Sequence, residues 1–393
     1  MSNDYCTQVV DDPARIDRAA WDALVDADAD AEASPFLRHE YLAALTASGA
    51  AAGPSGWHPR FLLLGRGEEL AAAAPLYVKD HSYGEYVFDW SWAEAYQRHG
   101  LAYYPKWLVA VPFTPVPGTR LLARDEHARS ALAAALLAHA EQSGLSSLHV
   151  LLAPPRDIAA LTRAGMLVRD GVQFHWRNAG YASFDEFLAQ LAQPKRKKIR
   201  AERRKVREAG VTLERKVGRE IAESDWRFFF RCYLTTYRAH FSSPYLNLDF
   251  FLRIGESMAE HLMLVLASRG DRPVASALGV FDARREEPRL YGRYWGAVEP
   301  VDCLHFECCY YQMIEFAIER KLGWFEGGAQ GAHKLARGLD PVATRSAHWL
   351  AHPGMSQAVA RSLERERAGV SATIDELNEH RAFKGAGIPL ARE

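Results

Sequence analysis

Between Trp324 and Trp349 the chain reads WFEGGAQGAHKLARGLDPVATRSAHW, which sets Glu326, Gln330, His333, Lys334, Arg337, Arg345 and His348 among glycines and tryptophans. A solvated loop would carry such charges without the aromatics, and a core strand would lack the charges. Glycine lets a backbone approach a ligand closely, and acid, base and cation together beside a rigid element are what a site requires. The competing reading is an irregular connection whose charges are merely solvated. Immediately upstream, a helix predicted over Leu304–Lys321 opens with His305 and Glu307. Glu307 is either a first-turn carboxylate that complements the positive helix end or a base aimed into a site, with burial raising its pKa into working range. His305 is a cap or a second base. His305 and Cys309 stand at i and i+4 with Cys308 between them, but no further ligands at matching spacing are evident, so no metal site is expected. Cys309, Met313 and Phe316 share one apolar face and read as core.

Two further clusters carry chemistry. Asp89-Trp90-Ser-Trp92-Ala-Glu94-Ala-Tyr96 places aromatics beside acids, a composition that suits an acceptor pocket holding an amine by cation–π contact; the plain alternative is an amphipathic packing segment. Lys195–Arg207 holds nine Lys or Arg against Glu202 alone, with Ile199 and Val206 as its main apolar contacts. Such a helix is by default a solvated face over a thin buried seam. Read functionally, Lys195, Lys197, Lys198, Arg200, Arg203 and Arg204 would contact the phosphates of tRNA or another polyanion without reading sequence.

These groups need elements to position them, and 393 residues exceed what a single core usually serves, so two domains are expected. A net charge of −1 leaves no global pull toward nucleic acid or membrane. The aspartate-rich start does not resemble a signal peptide, no apolar run is long enough to span a bilayer, and five cysteines without CxxC spacing suit a reducing cytosol. The expected location is therefore cytoplasmic. In the first half, helices are predicted over Ala19–Val25, Arg38–Ala47 and Ala128–Gln142, the last stopped by Gly144. Strands are predicted at Arg60–Leu64, Leu70–Val78, Val109–Phe113 and Leu148–Leu152. In the second half, Pro194 is read as a break before the basic helix. Strands at Val211–Lys216, Leu262–Ser268, Val274–Phe281 and Leu290–Val298 flank helices at Asp225–His240 and Leu248–Glu260. Trp324–Glu326 begins a last strand region, with Ser346–Leu350 expected beside it, and Met355–His380 forms a charged helical tail. Each half thus runs helices, then a strand meander, then a strand–helix–strand close.

That order, with these residues, carries a resemblance. The second half resembles the Gcn5-related N-acetyltransferase fold. The whole chain looks like the FemAB-like family of predicted N-acyltransferases, through SPFLRHEYL at Ser34–Leu42, GEYVFDWSWAEAY at Gly84–Tyr96, PKWLVAVPFTPVPG at Pro105–Gly118, PKRKKIRAERRKV at Pro194–Val206 and the segment His305–Trp349. The resemblance implies an α/β fold of the α+β type. Its two tandem acetyltransferase-like domains, each with a mixed central sheet, would occupy residues 1–172 and 173–350, with the basic helix at 195–208 and a helical tail at 351–393.

The activity implied is transfer of an acyl or aminoacyl group to an amine. The donor would be acyl-CoA or aminoacyl-tRNA as co-substrate, with no tightly bound cofactor. The donor cradle would lie at Gly296–Leu304, where the acetyltransferase signature is present as Arg293-Tyr-Trp-Gly296-Ala-Val298 but breaks at its last position, and where Glu299 and Asp302 would repel phosphate. Arg293, Gly296, Lys334 and Arg337 are the expected donor contacts, Lys334 by its position late in the second domain. Glu307, His305, Glu326 and His333 are the expected catalytic groups. Asp89, Trp90, Trp92, Tyr96 and Gln330 are expected to line the acceptor side of the same cleft. The contrasting function is a non-catalytic module of degenerate acetyltransferase fold that binds a cell-wall precursor or RNA. A purely RNA-binding role for the basic helix is weighed down by the near-zero net charge.

Overall fold

In the computed structural model, residues 5–27, 34–284, 286–328, 331–379 and 381–384 are described. The chain divides into two compact units, Met1–Gly171 with Ala343–Ala372 and Val172–Val342 with Thr373–Glu393. The fold is mixed α/β, and both units follow the acetyltransferase-like order expected from the sequence.

Unit 1 begins with β1 (Cys6–Val10) and helices Arg18–Ala27 and His39–Ala47. A meander follows: β2 (Trp57–Pro59), β3 (Phe61–Arg66), β4 (Glu69–Ala74), β5 (Leu76–Lys79) and, after helix Trp90–Arg98, β6 (Lys106–Val109). The short β7 (Leu122–Ala123), helix Glu126–Ser143 and β8 (Ser147–Val150) close it. Strands β1, β3, β4 and β7 form one antiparallel sheet. In the other, β2 and β6 flank β5 antiparallel, and β6 runs parallel to β8 across the connecting helix. That helix starts where Asp125 accepts from the Ala128 N–H at 2.7 Å and stops at left-handed Gly144. Its alanine-rich face packs on Leu62, Leu64, Val109 and Leu148.

The strand expected at Val109–Phe113 lies earlier, at β6. Pro112 offers no N–H to a ladder, and Thr114 N–H closes a turn on the Val111 carbonyl instead. Helix Pro155–Arg163 was not expected from the sequence; Pro155 occupies its first turn, where no N–H is needed.

Unit 2 takes in the end of β9 (Leu167–Arg177), then helices Phe184–Gln190 and Gln193–Glu208, β10 (Val211–Val217) and helices Glu223–Ala239 and Leu248–Ser257. The meander β11 (Leu262–Arg269), β12 (Arg272–Asp282) and β13 (Arg289–Ala297) leads through a helix at residues 304–319 to β14 (Trp324–Glu326). Strands β10 to β13 are antiparallel neighbours, β13 pairs parallel with β14, and β14 pairs antiparallel with β9. Pro194 sits in the first turn of the basic helix rather than breaking the chain before it, again a position that needs no donor. The segment expected beside Trp324–Glu326 is the end of β15 (Asp340–Leu350), whose Ala347–Leu350 instead pairs antiparallel with β8.

The C-terminal helix Pro353–Glu379 lays Met355, Val359 and Leu363 against Trp92, Tyr96 and Tyr103. No described helix is long and apolar enough to cross a membrane.

One contact fixes the end of β13. A Cβ at Gly296 would lie 1.8 Å from the Cys232 carbonyl oxygen on helix Glu223–Ala239. The same helix turn donates Thr235 Oγ1 to the Ala297 carbonyl at 2.8 Å and Thr236 Oγ1 to the Trp295 carbonyl at 2.7 Å. Gly296, expected in a donor cradle, is therefore glycine because a helix backbone touches the strand there.

Gly296→Ala should destabilise the protein at the upper end of about 1–3 kcal/mol, since backbone rather than a flexible side chain must give way. Gly369→Ala, in the C-terminal helix where a Cβ meets nothing, should stabilise by about 0.5–1 kcal/mol. Urea unfolding of both variants checks the contrast.

Candidate functional site

Strands β13 and β14 stay paired only from Arg289↔Trp324 to Tyr291↔Glu326; β13 then runs on to Ala297 while β14 ends. The sheet of unit 2 therefore opens at the carboxyl ends of two parallel strands. The following helix begins nearby and is irregular: Leu304–Phe306 is α-helical, Glu307–Tyr311 forms a π turn and Gln312–Glu319 is α-helical again. Such π turns recur at functional sites.

Lys334 sits at this end, on the 3₁₀ helix Ala332–Arg337. It is 2% exposed. Among the described residues its one side-chain hydrogen bond runs from Nζ to the Gly328 carbonyl, 2.6 Å away, just past β14. Burial pushes its pKa down to about 8, against a smaller opposing effect of Cys309. Around it lie histidines held neutral chiefly by burial. His305 falls to about 4, helped by His333, Arg337 and Lys334. His175 falls to about 3, helped by Arg289 and Lys334. His333 is lowered too, by burial and then by Arg337 and Lys334, and its Nε2 lies 3.0 Å from the Tyr310 hydroxyl. The buried Glu326 carboxylate meets Arg289 at 3.2 Å and His175 Nε2 at 3.7 Å. The structure thus gathers Lys334, His305, His333 and Glu326, as the sequence proposed, and adds His175 and Tyr310. His175 was legible in principle: Gln173 and His175 alternate with Phe174 and Trp176, which marks one polar face of a strand.

Other expected roles are corrected by what the side chains touch. Glu307 is buried, and both its oxygens already accept: Oε1 from Arg203 and from Gln312, each at 3.0 Å, and Oε2 from Arg203 at 3.2 Å. A carboxylate so engaged anchors the basic helix and is not poised to take a proton from a substrate. Arg203, expected on RNA, turns inward to bind Glu315 as well, at 2.9 Å. Arg337, expected on donor phosphates, is spent on Glu202: one guanidinium nitrogen reaches both carboxylate oxygens at 3.0 Å. Tyr311 also donates to Glu202, and the Arg337 guanidinium lies 3.5 Å over the Phe306 ring. Arg293 stacks on Tyr294. Gln330 lies outside the described residues. On the basic helix, Ile199, Glu202 and Val206 face inward, Lys195 is half-buried, and Lys197, Lys198, Arg200 and Arg204 are exposed.

In unit 1 the Asp89 segment resolves into two roles. Trp92 and Tyr96 are core, packed with Tyr103, Leu350 and Met355. Asp89 is the hub of a buried polar network: it accepts from Ser82, Tyr103 and Lys106, each at 2.5 Å. Burial would raise its pKa, but Lys106, His149 and these bonds outweigh it and hold the carboxyl well below its usual range. Lys106 also reaches Glu85 at 2.9 Å. From Tyr103 the chain continues to His149 Nε2 at 3.0 Å and on to His348 through paired Nδ1 atoms 2.8 Å apart. Trp90 remains exposed at the surface. Lys106, Tyr103 and His149 escaped the sequence reading, although a lysine opening the apolar strand Lys106-Trp-Leu-Val109 was the available signal.

Glu202→Ala should cost about 3–5 kcal/mol, because Arg337 would be left buried without its counter-charge. Arg204→Ala, an exposed partner of Glu208, should change stability by less than about 1 kcal/mol. Thermal and denaturant melts separate the two.

No curated protein matches the sequence. Among solved structures, FemX superposes with a TM-score of 0.53 at 12% identity, over 88% of this chain and 99% of its own. L-PGS from Bacillus licheniformis gives 0.53 at 11% identity, over 90% of this chain and 98% of its own. A protein of unknown function from Bacteroides thetaiotaomicron gives 0.51 at 10%, over 88% and 100%. At such identities these likenesses speak for the fold. The FemAB-like family profile, described as peptidoglycan biosynthesis/recognition, matches residues 12–385, and with nearly its whole length so matched the chain belongs to the FemAB-like family.

Proposed function

We propose that this protein transfers an acyl or aminoacyl group from an activated donor, acyl-CoA or aminoacyl-tRNA, to an amine, and that the transfer takes place in unit 2 beside Lys334. The observation that carries the reading is the buried Lys334 ammonium, whose Nζ has a single acceptor among the described residues, at the end of the sheet where β13 and β14 part. An ammonium has three hydrogens to give, so Lys334 has donors left for a developing oxyanion. The amine nitrogen attacks the donor carbonyl, the new C–N bond forms, and the bond to the thioester sulfur or ester oxygen breaks. Lys334 stabilises the negative charge on the carbonyl oxygen. His305 or His333, both neutral near pH 7, takes the proton that the amine gives up. The family's description points to an amine of a peptidoglycan precursor as the acceptor.

The choice of donor turns on the basic helix. Its exposed Lys197, Lys198, Arg200 and Arg204 form one positive face, which supports an RNA-borne donor. Glu299, expected to repel phosphate, is paired with Arg269 and lies 3.7 Å from Arg272, so its charge is partly offset.

Lys334→Ala should lower the single-turnover rate by about 10²–10³, whereas Glu307→Gln should leave the chemical step near wild type because that carboxylate serves Arg203. Equal losses in both variants would move the chemistry away from Lys334. The rate should also fall as pH rises through about 8, since Lys334 is cationic only below its lowered pKa; a flat profile there would remove it as the charged donor.

For the donor, native mass spectrometry with acyl-CoA and with charged tRNA should show which is retained. If tRNA is retained, reversing Lys197, Arg200 and Arg204 to glutamate should abolish a salt-sensitive association while the fold persists. Retention unchanged by the reversal would exclude the helix.

A further inference from the structure

Tyr310 and His333 share a hydrogen bond whose direction burial decides. Tyr310 lies on the π turn Glu307–Tyr311 and is 4% exposed. Among the described residues its hydroxyl has one hydrogen-bond partner, His333 Nε2, at 3.0 Å. Burial raises the pKa of the phenol, with Cys309 adding to the effect and Arg337 opposing it, so the hydroxyl keeps its hydrogen at neutral pH. A buried donor without an acceptor is costly, and Nε2 is the acceptor at hand. Of the two nitrogens of a neutral imidazole, one accepts and the other carries the hydrogen. With Nε2 accepting from Tyr310, the hydrogen of His333 sits on Nδ1.

The surroundings hold the ring in this role. The rings of Tyr310 and Phe306 pack against it, centroids 5.8 Å and 6.0 Å away. Its main-chain carbonyl accepts from Arg337 at 2.8 Å, and Arg337 is itself paired with Glu202. A Cβ at Gly331 would lie 2.6 Å from Nδ1; glycine there, left-handed at φ +112°, leaves that edge of the ring clear. No described residue hydrogen-bonds to Nδ1, and His333 is exposed. Partial burial and the charges of Arg337 and Lys334 disfavour a second proton. The Tyr310 bond does the same, because it occupies the lone pair that such a proton would need. His305 differs. Its ring, 6.4 Å from that of His333, hydrogen-bonds to no described residue, so nothing commits its lone pair.

We propose that Tyr310 is a positioning residue that fixes His333 as an Nδ1–H donor, so that His333 hydrogen-bonds to a substrate oxygen and the proton of the attacking amine goes to His305. The catalytic roles rest on the amine-transfer reading, whereas the tautomer is a property of the resting protein. In the step, the amine nitrogen forms the new C–N bond. The bond to the thioester sulfur or ester oxygen breaks, and its electron pair leaves on that atom. The amine's proton passes to His305, and His333 keeps its hydrogen throughout. His333 precedes Lys334 on the same short helix, so one turn supplies a neutral donor and an ammonium.

Two measurements test this. Nitrogen NMR of the imidazole rings, on the protein alone at neutral pH, should show His333 as the Nδ1–H tautomer. Tyr310→Phe should move it toward the Nε2–H form that free histidine favours. An Nε2–H tautomer in the wild type, or a spectrum unchanged in Tyr310→Phe, would overturn the pairing; if Tyr310→Phe does not fold, the wild-type tautomer decides alone. The second measurement is single turnover with charged tRNA or acyl-CoA, whichever the protein retains. His333→Ala should slow it by about 10²–10³. His333→Asn places an amide N–H near the position of Nδ1–H but offers no base, and should run about tenfold faster than His333→Ala. His305→Asn should stay as slow as His305→Ala, about 10²–10⁴ below wild type. His333→Asn no faster than His333→Ala, or His305→Ala at the wild-type rate, would overturn the assignment of roles. Absence of transfer by the wild type would sink the transfer reading and the catalytic roles with it, while the NMR spectrum would still decide the pairing.

Discussion

The ion pair between Glu202 and Arg337 decides where the chemistry of unit 2 can sit. Glu202 is the lone acid within the basic run Lys195–Arg207, and it faces inward with Ile199 and Val206. Arg337 lies on the same short helix as His333 and Lys334 and donates to the His333 carbonyl at 2.8 Å. A guanidinium held by a carboxylate, a main-chain oxygen and an aromatic face has little freedom left. The pair therefore fixes a glycine-rich loop, which would otherwise have many conformations, onto a regular helix. Lys334 inherits its position from that attachment, three residues before the pinned arginine.

The same principle sorts the charges of the basic helix. A uniformly cationic helix cannot pack, because burying an unpaired ammonium or guanidinium costs far more than an apolar seam returns. Here Arg203 is the cation that turns inward, and it does so against two carboxylates, Glu307 and Glu315. Most of the others remain in water, where pairs such as Arg200 with Asp185 at 3.5 Å contribute little. The face left exposed is positive by construction, not by an overall excess of charge, since the whole chain carries −1.

What the sequence made legible follows from which signals are local. Periodicity, caps and punctuating glycines act over a few residues, so the helix Glu126–Ser143, the meander β11 to β13 and the helix at 304–319 could be placed from the chain alone. The same holds for the gathering of His305, Glu326, His333 and Lys334, because all four flank one strand and one helix. Partners are not local. Nothing in the spacing of Glu307 reveals that Arg203, more than a hundred residues earlier, occupies its carboxylate. Gly296 read as a loop glycine for a ligand, whereas the helix backbone at Cys232 is what requires it. Proline misleads at Pro194, which reads as a break although it opens a helix at the turn that lacks donors anyway.

The two units put buried lysine to opposite uses. Lys106 is surrounded by Glu85 and Asp89, and although burial works against its charge, those carboxylates raise its pKa above the ordinary value. Such an ammonium is a fixed charge that holds other groups in place. Lys334 has no carboxylate partner among the described residues, only a carbonyl, and burial lowers its pKa. Keeping an ammonium in that setting costs free energy in the resting protein, and the cost falls when negative charge arrives. Stabilisation that grows as an oxyanion forms is the kind that speeds a reaction rather than merely tightening binding. Lys106 is already neutralised and has no comparable reserve. The difference between the two lysines lies in their partners, not in their burial, and it makes Lys334 the cation able to respond to chemistry.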